Sequence, residues 1–140
     1  MLNVSLLIAQ NPDLESKFIH RFIVKSRQER YLQFVNSSKN RKKFIANLTH
    51  FHDLQEDAFE LVSGSKEAVV RQALARQGIS ADTCYVISED SRFDTQTLGI
   101  SEALCETLGH QMGTMLVFGD ADVLFYESET MKMRYISKSR

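Results

Sequence analysis

Apolar residues recur at intervals of three and four along the first half of the chain, which is the pattern of amphipathic helices. The pattern is clearest where Leu14, Phe18, Ile19 and Phe22 follow Asn11-Pro12-Asp13. An asparagine side chain can accept hydrogen bonds from the first free N–H groups of a helix, and proline fits the first helical position. We therefore predict a helix that begins at residue 12.

The rest of this half repeats the helical pattern less regularly. Polar residues 26–30 interrupt it and Tyr31 resumes it, so we predict two helices here rather than one bent helix. A third helix is predicted through Phe44. A fourth ends at Gly78, because glycine readily adopts the left-handed conformation that closes a helix. Residues 49–65 show little periodicity and give no assignment.

From residue 84 onward the chain changes to short segments rich in aromatic and β-branched residues, which favour strands. Strands are expected near residues 84–88, 114–118, 123–127 and 131–136, with one helix near residues 99–109. Gly119-Asp120-Ala121-Asp122 is a hairpin signal between two of these strands. Helices first and strands last are typical of the α+β class. The prediction is an α+β fold in which a helical N-terminal half, about residues 12–78, packs on a small, mainly antiparallel C-terminal sheet.

The composition, with 43% hydrophobic and 25% charged residues, is that of a globular protein. The length of 140 residues fits a single domain spanning residues 1–140. No apolar run reaches the ~18 residues of a membrane-spanning helix, so we expect no membrane partner. Residues 1–7 lack the basic leader of a signal peptide, and Cys84 and Cys105 match no disulfide framework or metal motif. We therefore expect a cytoplasmic protein with two reduced cysteines.

The net charge of −1 hides an uneven distribution of charge along the chain. Residues 1–50 carry nine Lys and Arg against three Asp and Glu, whereas residues 51–130 carry four against fifteen. Such asymmetry can indicate a surface that binds an anionic partner. It can equally mean that the basic helices pack beside the acidic half, and the sequence does not separate these two interpretations.

The segment Thr49-His50-Phe51-His52-Asp53 is the most suggestive of a metal site, because imidazole and carboxylate groups are normal zinc ligands. It resembles the His-x-His-x-Asp-His box of the metallo-β-lactamase hydrolases, but Asp53 follows His52 directly and the final histidine is absent. We assign neither that family nor a metal. A metal-binding protein or hydrolase using His50, His52 and nearby carboxylates stays as our lowest-ranked hypothesis. The alternative is a helix end whose histidines lie near the last carbonyl groups.

Two acidic segments could supply the oxygen ligands that calcium or magnesium prefers. One is the loop with Glu89, Asp90 and Asp94, and the other is the turn with Asp120 and Asp122. Neither has the spacing of a calcium-binding loop, and tight turns select aspartate for backbone reasons. We interpret them as a solvated loop and a plain turn, unless both lie at one end of the sheet.

A basic stretch between residues 25 and 43 is the strongest candidate for a binding surface. Its anion-binding candidates are Lys25, Arg27, Arg30, Lys39, Arg41, Lys42 and Lys43. Cations can contact phosphates, and exposed aromatic rings can stack on bases. However, Tyr31, Phe34 and Phe44 fall on the apolar stripe, which favours a place in the core.

No catalytic or cofactor-binding constellation is evident, so we assign no catalytic residue and no cofactor, and we lean against an enzyme. The leading hypothesis is a non-enzymatic interaction module that binds a protein partner or a second copy of itself. The alternative is binding of a nucleic acid or another anionic partner through the basic N-terminal helices. The sequence does not name an activity beyond these classes.

Overall fold

A six-stranded antiparallel sheet with helices on both faces forms the fold, which confirms the predicted α+β class. The computed structural model describes residues 11–35, 37–48, 53–64, 66–80, 82–108, 113–128 and 133–138. The α-helices within these ranges are α1 (Pro12–Phe22), α2 (Gln28–Val35), α3 (Arg41–Leu48), α4 (Glu67–Arg76) and α5 (Ile100–Thr107). Short 3-10 turns at Lys25–Arg27 and Ser38–Asn40 precede α2 and α3, and a third lies at Glu56–Ala58.

The strands of the sheet lie in the order β1-β6-β5-β4-β2-β3. Their bounds are β1 (Phe59–Leu61), β2 (Thr83–Ser88), β3 (Thr97–Gly99), β4 (Thr114–Phe118), β5 (Val123–Glu127) and β6 (Arg134–Ser137). The four predicted strands correspond to β2, β4, β5 and β6. The last was predicted at 131–136, but β6 begins at Arg134, and residues 131 and 132 lie outside the described residues. The two edge strands, β1 and β3, have three residues each and lie in segments for which no strand was predicted.

The two faces of the sheet are covered by different helices, because side chains alternate along each strand. On one face, α1, α2 and α3 pack Phe18, Tyr31 and Phe44 against strand residues that include Tyr85 and Val117. The other face contacts helices α4 and α5. Its buried residues include Val70, Ala73 and Leu74 of α4, Ala103 and Leu104 of α5, and the strand residues Val86, Leu116 and Phe125. All five residues of β4 and all five of β5 are therefore buried, which is usual for a sheet covered on both sides.

Helix α1 begins where the sequence predicted. The Asn11 side chain accepts a hydrogen bond from the Leu14 N–H at 3.1 Å, and Pro12 is the first helical residue. The helix ends at Phe22, and Ile23 forms an antiparallel bridge with Leu54. The chain then starts a separate helix, α2, which confirms the prediction of two helices.

Glycine at two turns adopts the left-handed backbone conformation. Gly78 follows α4 with a φ of +80°, and Ile79 folds back so that its N–H bonds to the Leu74 carbonyl at 3.1 Å. Gly119, with a φ of +63°, opens the turn between β4 and β5 that the sequence predicted. No helix in the described residues is long and apolar enough to cross a membrane.

Candidate nucleic-acid interface

The basic residues predicted to bind anions lie on the helical layer formed by α2, α3 and the 3-10 turns before them. Their helices are amphipathic, so the apolar side chains face the sheet and the cations fall outside that stripe. Six of the seven candidates are exposed: Lys25, Arg27, Arg30, Lys39, Lys42 and Lys43. We call these six residues the basic surface.

Direct ion pairs do not balance the charge of the basic surface within the described ranges. None of its six cations lies within 4.0 Å of a carboxylate belonging to the described ranges. Between residues 25 and 43 the sequence holds one acidic residue, Glu29, against seven Lys and Arg. The positive charge of this layer is therefore directed to solvent.

The aromatic residues interleaved with these cations are buried, as the apolar stripe indicated. Tyr31 and Phe44 are 0% exposed and Phe34 is 7% exposed. Tyr31 packs edge-on against both phenylalanines, with ring centroids 5.7 and 5.9 Å apart. The Arg30 guanidinium lies over the Phe34 ring at 5.6 Å, so this ring supports a surface cation rather than facing solvent.

Arg41 differs from the other six candidates because it points into the protein. Its guanidinium donates to Glu15 Oε1 at 2.6 Å and to both oxygens of Asp94 at 2.9 and 3.0 Å. Burial disfavours the charge of Arg41, but the hydrogen bonds to Asp94 and Glu15 outweigh it and raise the guanidinium pKa. Arg41 thus fastens α3 to α1 and to the loop after β2.

Glu15 is the buried centre of this network, with 0% exposure. Its second oxygen accepts a hydrogen bond from the Tyr85 hydroxyl at 2.7 Å, and that hydroxyl accepts one from the Asn11 N–H at 3.1 Å. Burial and the nearby Glu15 carboxylate raise the pKa of Tyr85. Sequence reasoning missed this network. The available signal was a carboxylate at position 15, on the same face of α1 as Phe18, Ile19 and Phe22.

On helix α1, basic side chains pair with groups of the acidic half, so part of the charge asymmetry is balanced within the molecule. Lys17 forms an ion pair with Asp120 at 2.7 Å, and Arg21 donates to the Ala121 carbonyl at 2.8 Å. The hydrogen bonds that the Lys17 ammonium donates to Asp120 raise the pKa of Lys17. The internal interpretation therefore applies to α1, and binding of an anionic partner by the basic surface stays a prediction.

The two acidic segments do not combine into one cation site. Ser88 at the end of β2 pairs with Thr114 at the start of β4, so the loop after β2 and the turn after β4 lie at opposite ends of the sheet. Asp94 is bound by Arg41, and Asp90 by Arg92 at 2.7 Å. In the described ranges no group of three or more His, Cys, Asp or Glu residues could hold a metal.

The histidine hypothesis falls largely outside the described residues, which include neither His50 nor His52. Asp53, the adjacent carboxylate, accepts a hydrogen bond from the Tyr31 hydroxyl. Burial and this hydrogen bond raise the pKa of Tyr31. Of the cysteines, Cys84 is buried and Cys105 is exposed.

A groove of about 560 Å³ lies between α4 and the start of α5, lined in part by Arg71, Ile79, Asp82 and Ser101. Arg71 bonds to Ser101 Oγ at 2.5 Å and to Glu67 at 2.7 Å, so its guanidinium is already engaged. Charges of both signs border the groove, and we assign no ligand to it.

Comparison with known proteins gives no relative, because no family model, curated protein or solved structure matches the chain.

Proposed function

We propose that this protein is a non-enzymatic binding module whose basic surface contacts the phosphate backbone of a nucleic acid. The observation that carries the proposal is the exposure of six cations within nineteen residues, none of them paired with a described carboxylate. Binding of such a surface to phosphates releases condensed counterions, and this release is the main source of sequence-independent affinity.

Other anionic partners fit the basic surface less well. A helix that binds a lipid surface presents apolar side chains beside its cations, and those of α2 and α3 face the protein core. An interface with another protein centres on exposed aromatic or aliphatic anchors. In the described ranges the exposed large apolar side chains are Leu61 and Met133, near β1 and β6 rather than on the basic surface. Phosphate contacts need cations alone, so they match what is exposed.

A pair of charge-matched variants tests the proposal. Lys42→Gln/Lys43→Gln removes two cations from α3, and Lys66→Gln/Arg76→Gln removes two exposed cations at the ends of α4, on the opposite face of the sheet. Binding to a labelled 20-base-pair DNA is followed by fluorescence anisotropy between 25 and 200 mM NaCl. We expect the α3 variant to lose affinity and the α4 variant to bind like the natural chain.

The salt dependence of binding gives the expected size of the effect of removing cations. Six phosphate contacts would give a slope of log affinity against log salt of about −5, and each cation removed should reduce it by about 1. Equal loss in the two variants would mean that net charge, not this surface, drives binding. Absence of DNA binding at 25 mM NaCl with micromolar protein, or tighter binding to phosphatidylserine vesicles or polyglutamate, would overturn the proposal.

Self-association is a second candidate, and one feature favours it. Strand β1 is an edge of the sheet, and Leu61 at its end is 56% exposed while Met133 next to β6 is 42% exposed. An exposed edge strand with apolar side chains is a template for pairing with another chain. Light scattering on the purified protein tests this: a dimer that Leu61→Lys converts to a monomer supports it, and a monomer at all concentrations rejects it.

A further inference from the structure

The aromatic residues determine which form of nucleic acid the basic surface can bind. Proteins that bind single strands combine a cationic groove with aromatic side chains on which bases stack, each worth roughly a five- to 150-fold gain in affinity. The chain has nine Phe and four Tyr, and all but Phe51 lie in the described ranges. None of those twelve is exposed, and the two within the basic stretch, Tyr31 and Phe34, are in the core together with the adjacent Phe44.

The two partly exposed aromatic residues of the described ranges lie in other segments of the chain. Phe93 is in the loop between β2 and β3, and Tyr135 is in β6, where its ring lies 6.2 Å from that of Tyr126. Neither belongs to the segments that carry the six cations. Within the described residues, the basic surface therefore offers charge without a stacking platform.

A surface that acts through charge alone favours the ligand with the higher charge density. Duplex DNA carries about one phosphate charge per 1.7 Å of its axis, and each neutralised phosphate releases about 0.9 counterion, against about 0.7 for a single strand. The same six cations therefore gain more from a duplex. Three of them lie on α2 and α3, two eight-residue helices about 12 Å long, and three lie on the 3-10 turns before these helices, which suits contact with an outer phosphate ridge.

Resting on the function proposed above, we infer that the partner is a nucleic-acid duplex, which the basic surface binds through its phosphates without recognition of base sequence. Lys and Arg on an exposed helical layer position a protein on the backbone, and sequence is read only by groups that reach the base edges in a groove. No exposed aromatic or apolar side chain of the described basic stretch is available to enter between bases.

The test compares three ligands with the natural protein: two 20-base-pair DNA duplexes of unrelated sequence and a single strand of twenty thymidines, which forms no secondary structure. Anisotropy is measured for each between 25 and 200 mM NaCl. We expect the two duplexes to bind within twofold of each other and at least fivefold more tightly than the single strand. Lys42→Gln/Lys43→Gln should weaken duplex binding, and Lys66→Gln/Arg76→Gln should not.

The outcomes separate this inference from the proposed function. If the single strand binds as tightly as the duplexes, the duplex inference is wrong while nucleic-acid binding stands. A difference of tenfold or more between the two duplexes overturns the absence of sequence recognition. If neither duplexes nor single strand bind at 25 mM NaCl, the proposed function fails and the inference fails with it.

Discussion

Replacing Arg41 by methionine should destabilise the protein strongly, because it leaves the buried Glu15 carboxylate without a cation. Arg41 supplies the 2.6 Å hydrogen bond to Glu15, whose side chain is 0% exposed, and two more bonds to Asp94. In the variant, the Tyr85 hydroxyl is the partner that the structure leaves to Glu15. Breaking a buried ion pair from one side usually costs about 3–5 kcal/mol.

The side chains of Arg41 and Asp94 are each 14% exposed, so water can reach this end of the network and we expect the lower value, about 3 kcal/mol. At typical urea dependences of about 1–3 kcal/mol per molar, the unfolding midpoint should fall by about 1–3 M. The matched control is Lys17→Met, which removes an exposed cation paired with Asp120. Solvent screens such a pair, so its midpoint should change little.

A double variant provides a second readout, because the cost of Arg41→Met comes from the unpaired charge of the buried Glu15 carboxylate. Adding Glu15→Gln should recover part of the loss. A cost no greater than that of Lys17→Met would refute the argument that Glu15 depends on Arg41.

Two further predictions concern the thiols and the turns. Under native conditions a thiol reagent should modify Cys105 and spare Cys84. Cys84 is buried, and this burial raises the pKa of its thiol to about 12. Rapid labelling of both cysteines, seen by mass spectrometry, would contradict this prediction. Gly119→Ala should destabilise more than Gly78→Ala in urea unfolding. Both residues have a positive φ, which costs an alanine about 1 kcal/mol of strain. At Gly119 the new Cβ would also collide with Asp122 Oδ2, whereas at Gly78 it would meet no described atom within 4 Å. Equal losses would show that Asp122 moves aside freely.

Local signals were enough to predict much of the fold. The cap at Asn11, the hairpin turn at Gly119 and the strands β2, β4 and β5 depend on residues close together in sequence. The continuous apolar run of residues 115–118 is typical of a strand buried on both faces. It therefore indicates the second helical layer, formed by α4 and α5, which was not predicted.

The edge strands could not be predicted in the same way. Strand β1 has three residues, too few to show alternation, and its conformation is defined by pairing with β6, more than seventy residues later in the chain. Strand β3 depends on β2 in the same manner. The spacing of apolar residues shows which side of a segment is buried. A short edge strand forms instead because its backbone pairs with a neighbouring strand, and that pairing leaves no pattern in the sequence of the segment itself.

For the basic stretch, the sequence left open whether the cations face solvent or the acidic half. In the structure six of the seven are exposed, and Arg41 is the exception. Arg41 is adjacent in sequence to Lys42 and Lys43, and nothing local distinguishes the three. The difference comes from Asp94, which lies 53 residues away in sequence and meets Arg41 only in the folded protein. Charge partners brought together by the fold are therefore the part of a site that a single sequence reveals least.

The overall charge limits how such a surface can act. The net charge is −1, so the whole molecule is not drawn to a polyanion, and attraction must come from the basic surface at short range. At physiological salt the Debye length is about 8 Å, so only charges close to the basic surface act on a ligand bound there. Two carboxylates, Glu56 and Asp57, line a cavity together with Val24, the residue that precedes Lys25. The dissociation constant of one copy should then lie in the range of non-specific binding, about 10⁻⁴–10⁻⁶ M.

Two linked copies would bind far more tightly, because the second contact becomes intramolecular. Self-association through β1 and nucleic-acid binding through α2 and α3 are therefore complementary hypotheses, since the surfaces that they use do not overlap.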